Sequence, residues 1–514
     1  MAVQVNDLPS KGRVPLPRSG DALEKFYIAT AIPYVNAPPH IGHALEFVQA
    51  DVIARYKRLI GKDVYLATGA DENSLKNALA AEKLGISTEE LCRRNSEAFK
   101  ALVDSMGISY SAFIRTSIKG DHWKVAQNLW SLCSKNGDIY KKKYKGLYCV
   151  GCELFYTENE LVDGLCPEHK TKPELVEEEN YFFRLSRYQD TLEQLLTSGK
   201  IKVTPQFRGN EALGFIKAGL EDFSVSRSVK RAHGWGIPVP GDESQIMYVW
   251  FDALAYYLTA AFFFVDEKRF RSLWPVDLHV IGKGITRFHA LYWPAMLLSG
   301  GLETPKEILV HGYITVEGQK ISKSLGNVID PAALLKRYTS DEIRYYLIRD
   351  IPSFDDGDFS EKSLIDRVNK ELLGDLGNLV NRVLTLAEKS GLEEFSGERE
   401  LESGIDIGAV QERFSSLELH VALEITMEFV RKCNAYVNSK EPWKLQGKEL
   451  ESVLYNLLES IRMAAILLSP FIPATSLKIS KMLDFNIKGI DDCRFRDSFK
   501  GKITRQGYLF RKIE

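Results

Sequence analysis

Residues 25–68 read KFYIATAIPYVNAPPHIGHALEFVQADVIARYKRLIGKDVYLAT. Phe26 to Ile32 is a β-branched and aromatic run, which predicts a strand. Pro33, Pro38 and Pro39 force an extended loop after it. Ile41, Leu45, Val48, Val52, Tyr56 and Leu59 then recur at three-to-four spacing, the period of a helix with one buried face. Gly61 supplies its left-handed stop, and Val64 to Ala67 reads as a second strand. Strand, helix and strand in about 40 residues form a βαβ unit, so the fold class is α/β with a parallel sheet. His40-Ile41-Gly42-His43 falls where the loop enters the helix. A helix N-terminus attracts anions through its unbonded N–H groups and its dipole. Two histidines three apart share a face there, and Gly42 lets a flat or charged ligand approach the backbone.

Length and composition bound what surrounds this unit. The 514 residues carry a net charge of −2 and are 45% hydrophobic, enough for several domains with ample core. Near-neutral charge excludes a nucleic-acid coat spread over the whole surface, so any RNA contact rests on local patches. Seven cysteines are too few and too uneven for a disulfide framework, which fits a reducing, cytoplasmic compartment. The first 24 residues lack an apolar stretch, and their acidic residues disfavour a transit peptide. No run reaches membrane-spanning length.

Two further motifs stand out. Cys149-Val150-Gly151-Cys152 and Cys166-Pro167-Glu168-His169 make a C-x2-C and C-x2-H pair, with 13 residues between the halves. That spacing suits a closed, tetrahedral, structural zinc site. Far downstream, Lys320-Ile321-Ser322-Lys323-Ser324 is a Ser-rich loop flanked by Gly318 and Gly326. The basic run Lys141-Lys142-Lys143-Tyr144-Lys145 reads as a solvated face. From about residue 370, helical periods such as Leu372/Leu376/Leu379/Val383 dominate, which predicts a helical bundle.

H-I-G-H and K-I-S-K-S together resemble the two signatures of the class I aminoacyl-tRNA synthetases. From about residue 25 to its end the chain looks like the methionyl-tRNA synthetase family, in its single-zinc-knuckle form. The resemblance implies a Rossmann-like catalytic domain in two halves, 25–118 and 226–312. A zinc-binding insertion (119–225) would lie between them, and residues 1–24 would form a leader. Residues 313–370 would hold the KISKS loop and a stem-contact region, and 371–514 an anticodon-binding helical bundle. It also implies ATP-dependent attachment of methionine to tRNA through a methionyl-adenylate. The partners would be methionine, ATP with Mg²⁺ and tRNA(Met), with no membrane. A monomer is expected, since no dimerising appendage follows the bundle.

Activation is attack of an ionised carboxylate on the α-phosphorus of ATP, so no general base is required. The protein must align the groups and stabilise phosphoryl charge. The resemblance gives that task to His40, His43, Lys320 and Lys323, with Gly42 under the adenine and Ser322 in the ATP loop. It places Ile32, Tyr34, Asp71, Trp250, Ala253, Leu254, Tyr257, Ile285 and His289 around methionine, Asp71 holding the ammonium. Aromatic walls suit a polarisable thioether. By composition alone the Tyr248–Tyr257 cluster reads as core, and Trp443 as a buried bundle residue. The resemblance instead assigns Asn378, Arg382 and Trp443 to the anticodon.

Two departures from the family pattern bear on the site. Gly69-Ala70-Asp71-Glu72-Asn73-Ser74 stands where the family shows G-T-D-E-H-G, and Gly282-Lys283-Gly284-Ile285 where it shows G-K-D-I. The second removes a carboxylate at Gly284 that would face Arg227. Other synthetases fit less well: the editing enzymes need a larger insertion, and a cysteinyl enzyme would place zinc at the substrate. A tRNA-binding module without catalysis, or a nucleotidyltransferase that uses no tRNA, would leave one of the two signatures or the bundle without a purpose.

Overall fold

The structure, a computed structural model, describes residues 23–514 apart from 152–153, 157, 168–169, 322–325 and 506. Six parallel strands form the central sheet: β1 (Lys25–Thr30), β2 (Asp63–Ala70), β3 (Ala112–Arg115), β7 (Lys202–Thr204), β12 (Leu278–Gly282) and β13 (Glu307–His311). Their order is β3-β2-β1-β12-β13-β7. Ile28 pairs with Leu278 and with Leu66, so β1 is flanked on both sides. Such strands must be apolar on both faces, and Ile28, Leu66, Val280, Leu309 and Val310 are fully buried. The chain leaves β1 towards β2 and β3 on one side, and returns to β12 and β13 on the other. The switch point between β1 and β12 opens a crevice at the carboxyl ends of the strands, where ligands of such sheets bind.

Helix α1 (Ile41–Leu59) runs from that crevice down one face of the sheet. Ile41, Leu45, Val48 and Val52 are buried, as the periodicity requires, and Gly61 adopts φ 84° just past the end. Halfway along α1, the Asp51 carboxylate meets the fully buried Arg344 guanidinium at 2.7 Å. Arg344 also donates to the carbonyls of Phe471 and Pro470, both at 2.9 Å. The helix that carries the histidines is thereby tied to the bundle, and one apolar core runs from α1 through Leu379, Leu423 and Leu457.

Between the two halves a four-stranded sheet is built from β4 (Ile139–Cys149), β5 (Leu154–Tyr156), β6 (Glu174–Phe183) and β8 (Phe223–Ser224), in the order β5-β4-β6-β8. The basic run lies on β4 opposite acidic β6, with Lys143 facing Glu179 and Lys145 facing Glu177. These are cross-strand charge pairs on an exposed face. One feature departs from a clean insertion over 119–225: β7 lies inside that span yet pairs with β13 at the edge of the central sheet.

A small antiparallel sheet of β9 (Ser226–Ser228), β10 (Pro238–Val239) and β11 (Asp242–Met247) leads into the Val249–Ala260 helix. After β13, strands β14 (Ile314–Val316), β15 (Gln319–Lys320) and β16 (Gly357–Asp358) carry the chain into and out of the KISKS segment. Gly312 is required at that turn, because a Cβ there would lie 2.2 Å from the Asp355 carbonyl. The helices Asn378–Ser390, Ile407–Ser415, Leu419–Lys440, Gly447–Leu468 and Pro473–Met482 form the bundle.

Candidate active site

The crevice at the switch point is a cavity of about 570 Å³. His40 is the N-cap of α1, and its Nδ1 accepts the Gly42 N–H at 3.2 Å. His43 Nδ1 accepts the His40 N–H in return, at 3.1 Å. This is a capping box made of two imidazoles, and the rings stack at 3.8 Å. With both Nδ1 atoms accepting, the ring proton of each neutral imidazole sits on Nε2. Burial, with His40 adding to it, holds His43 well below the usual imidazole range. The motif thus sets N–H donors, and no fixed positive charge on His43, at the head of a helix whose dipole favours anions.

Of the residues expected around the ligand, Ile32, Tyr34, His40, Gly42, His43, Asp71, Trp250 and Ile285 line this cavity. Asp71 directly follows β2 and is buried; its N–H bonds the Pro33 carbonyl and its carbonyl takes the Val35 N–H, which sets it beside the first loop. Trp250 stacks on Phe288 at 3.7 Å and meets Tyr34 edge-on at 6.3 Å. Ala253, Leu254, Tyr257 and His289 are buried behind that wall, not on the open cavity. There the Tyr257 hydroxyl lies 2.7 Å from His289 Nε2, while His289 Nδ1 donates to the Ile285 carbonyl at 3.0 Å. Tyr256 and Tyr257 are core, while Trp250 lines the cavity.

Burial pushes His289 down to about 4, and holds His279 low as well. An unfolded histidine takes up its proton near pH 6.5. Between about pH 6.5 and 4 the unfolded chain therefore binds more protons, and stability falls as pH falls through that window. We expect the melting temperature to drop on going from pH 7 to 4.5. His289→Gln keeps both hydrogen bonds and removes the titration, so its slope should be shallower by up to about 1.4 kcal/mol per pH unit. An unchanged slope would mean that His289 titrates normally.

Sequence reasoning missed Glu46 and His311, which also line the cavity. Glu46 stands one turn beyond His43, a placement legible in the helical spacing. His311, at the end of β13, lies 3.0 Å from its carboxylate. Burial pushes the Glu46 carboxyl up.

Both departures are accommodated. Asn73 and Ser74 hold the Asp71 loop in their own way: Ser74 caps the following helix, and the Asn73 N–H donates to Asp71 Oδ1 at 3.2 Å. Arg227 donates to Ser224 Oγ and the Ser226 carbonyl, and packs over the Tyr248 ring at 4.3 Å. Lys283, beside Gly284, pairs instead with Asp356.

The Lys320 backbone lies in β15, paired with Thr315, while Ser322 and Lys323 fall outside the described residues. Ile321 and Val328, on either side of that segment, line the cavity. In the insertion, Cys149 and Cys166 share one buried cluster with Tyr156. Cys152 and His169 lie outside the described residues, among which no group of three metal-ligating side chains occurs. In the bundle, Asn378 and Arg382 are one helical turn apart, and the Arg382 guanidinium sits 5.5 Å over the Trp443 ring. Trp443 is 50% exposed, not the buried bundle residue that composition suggests.

Residues 26–175 and 168–384 match the family profile of class I tRNA synthetases (M), and 406–502 match that of the anticodon-binding domain of tRNA ligases. The methionine–tRNA ligase of Thermotoga maritima is 43% identical over 90% of this chain and 76% of its own. That of Nostoc is 42% identical over 91% of each. The chain belongs to the methionine–tRNA ligases. Mycobacterium tuberculosis methionyl-tRNA synthetase, solved in complex with methionyl-adenylate, superposes with a TM-score of 0.89 at 37% identity, covering 95% of this chain and all of that one. Family membership accounts for the parallel-sheet core, the interrupted catalytic domain and the helical bundle as one enzyme, an ATP-dependent ligase of methionine to tRNA. No helix among the described residues is long and apolar enough to cross a membrane.

Proposed function

We propose that this ligase forms methionyl-adenylate in the cavity at the head of α1. The observation that carries the assignment is the imidazole capping box, which keeps each ring's proton on Nε2 beside a cavity that the buried carboxylate of Asp71 also lines. ATP would enter with its Mg²⁺, its phosphates at His40 and His43 and its adenine over Gly42, the ion offsetting phosphate charge. Lys320, Ser322 and Lys323 would complete the triphosphate site. Asp71 holds the methionine ammonium, and the side chain lies against Ile32, Tyr34, Trp250 and Ile285. Ala253, Leu254, Tyr257 and His289 back that wall with an uncharged hydrogen-bonded pair, compatible with a thioether. The enzyme acts in the cytoplasm as a monomer.

A structural zinc fits the insertion. Among the described residues, Cys149 and Cys166 are buried in a small apolar cluster with Tyr156 and Leu161, the setting of two thiols held close together. Cys149, Cys152, Cys166 and His169 would hold the ion, and it would supply cross-linking, not catalysis. Metal analysis of the purified protein should find one zinc per chain. Protein that is free of zinc yet folded and active would exclude it.

The bundle reads the anticodon through Asn378, Arg382 and Trp443. Stacking on an exposed indole contributes about 1–3 kcal/mol per base. Trp443→Ala should therefore lower tRNA charging by roughly tenfold, while tRNA-independent exchange of pyrophosphate into ATP stays near wild type. Equal losses in both activities would return Trp443 to a structural role.

A further inference from the structure

Behind Asp71 lies a chain of buried hydrogen bonds that ends on an aspartate–histidine pair outside the cavity. Asp252, in the first turn of the Val249–Ala260 helix, is 1% exposed. Its Oδ1 lies 2.5 Å from His122 Nε2, and its Oδ2 accepts from Asn73 Nδ2 at 2.6 Å. His122 is itself 3% exposed, and its Nδ1 lies 2.9 Å from Thr259 Oγ1. The Thr259 hydroxyl donates its one hydrogen to the Ala255 carbonyl at 3.2 Å, so towards His122 it accepts, and Nδ1 carries a hydrogen. The His122–Asp252 contact is a short hydrogen bond between two buried side chains.

The amide of Asn73 is fixed by the same logic. Nδ2 faces two acceptors, Asp252 Oδ2 and the Thr116 carbonyl at 3.2 Å, so the side chain cannot be turned over. That orientation leaves Asn73 Oδ1 buried without a hydrogen-bond donor among the described residues. Holding Asn73 on Asp252 is thus favoured over satisfying its own carbonyl. The Asn73 backbone N–H in turn donates to Asp71 Oδ1. Three segments far apart in sequence meet here: the loop after β2, the Asp121–Lys135 helix that begins the insertion, and the helix that presents Trp250.

We propose that Asp252, clamped by His122, is a positioning residue for amino-acid recognition: through Asn73 it fixes the carboxylate of Asp71 towards the substrate ammonium. The proposal rests on the reading of Asp71 given above. Neither Asp252 nor Asn73 touches ATP in that reading, so the network governs methionine binding and leaves the phosphate chemistry alone.

The test is pyrophosphate exchange on the full-length protein, with KM for methionine, KM for ATP, kcat and melting temperature read for each variant. Asn73→Ala keeps the backbone N–H to Asp71 and removes only the tether. It should raise the methionine KM by roughly tenfold or more, with the ATP KM and kcat within about threefold. Asp252→Asn should do the same, and the double variant should be no worse than the worse single, since both cut one chain. If Asp252→Asn does not fold, Asn73→Ala carries the test alone. An unchanged methionine KM in Asn73→Ala overturns the proposal, as does a double variant whose losses multiply. Asp71→Asn separates this failure from failure of the underlying reading. A raised methionine KM in Asp71→Asn beside a normal one in Asn73→Ala defeats the network only. Normal values in both defeat the Asp71 assignment, and the network's role with it.

Discussion

His43→Ala is expected to slow methionine activation by about 10²–10³-fold, the usual effect of removing one preorganised donor from a developing phosphoryl charge. The structure ties the effect to one atom. His43 Nδ1 is engaged by the His40 N–H, so Nε2–H is what the ring offers to the ligand. The same substitution opens the capping box, which on its own costs about 1 kcal/mol of stability. His43→Asn separates the two contributions. Its short amide can still cap the helix but cannot reach the phosphates, so it should keep the melting temperature and lose the rate. Methionine affinity should be near wild type in both variants, because the amino-acid end of the cavity is untouched. Exchange kinetics with saturating methionine check this, and a normal kcat in either variant would remove His43 from the chemistry.

Asp71→Asn is expected to raise the methionine KM by about 30-fold or more. Breaking one side of a buried, hydrogen-bonded charge pair costs about 2–5 kcal/mol, and 1.4 kcal/mol is a factor of ten. Asp71 is 2% exposed, so water cannot replace the lost partner of the ammonium. The ATP KM should hardly move. Isothermal titration with methionine alone, without nucleotide, gives the same comparison free of kinetics. Equal affinities for wild type and variant would show that the ammonium is held elsewhere.

What was legible in the sequence was what local physics decides. The bounds of α1 follow from its own residues: prolines that stop a strand, a Gly at φ 84° that stops the helix, and apolar spacing between them. Asp71 and Trp250 came through the family resemblance and do share a cavity. What was hidden depends on pairing over distance. β7 is three residues long and has no periodicity of its own; only its pairing with β13 makes it a strand. His311 matters because β13 lies beside β12 and ends near α1, which no local pattern states. Asp252 and His122 are 130 residues apart, and each alone reads as an ordinary polar residue on a helix. Asn73 and Ser74 stand where the family shows histidine and glycine. In the fold, Asn73 is a link that holds the loop, and Ser74 is a helix cap. Trp443 went the other way: composition favours burial for a tryptophan, while its place in a short turn after the Leu419–Lys440 helix leaves it half exposed beside Arg382.

The most direct measurement is exchange of labelled pyrophosphate into ATP by the purified protein, with Mg²⁺ and no tRNA, against each amino acid in turn. A cavity that pairs a buried Asp71 with aromatic, uncharged walls should give saturable exchange with methionine and little with leucine, isoleucine or valine. No exchange with methionine, or exchange equally supported by the branched amino acids, would contradict the assignment of this cavity.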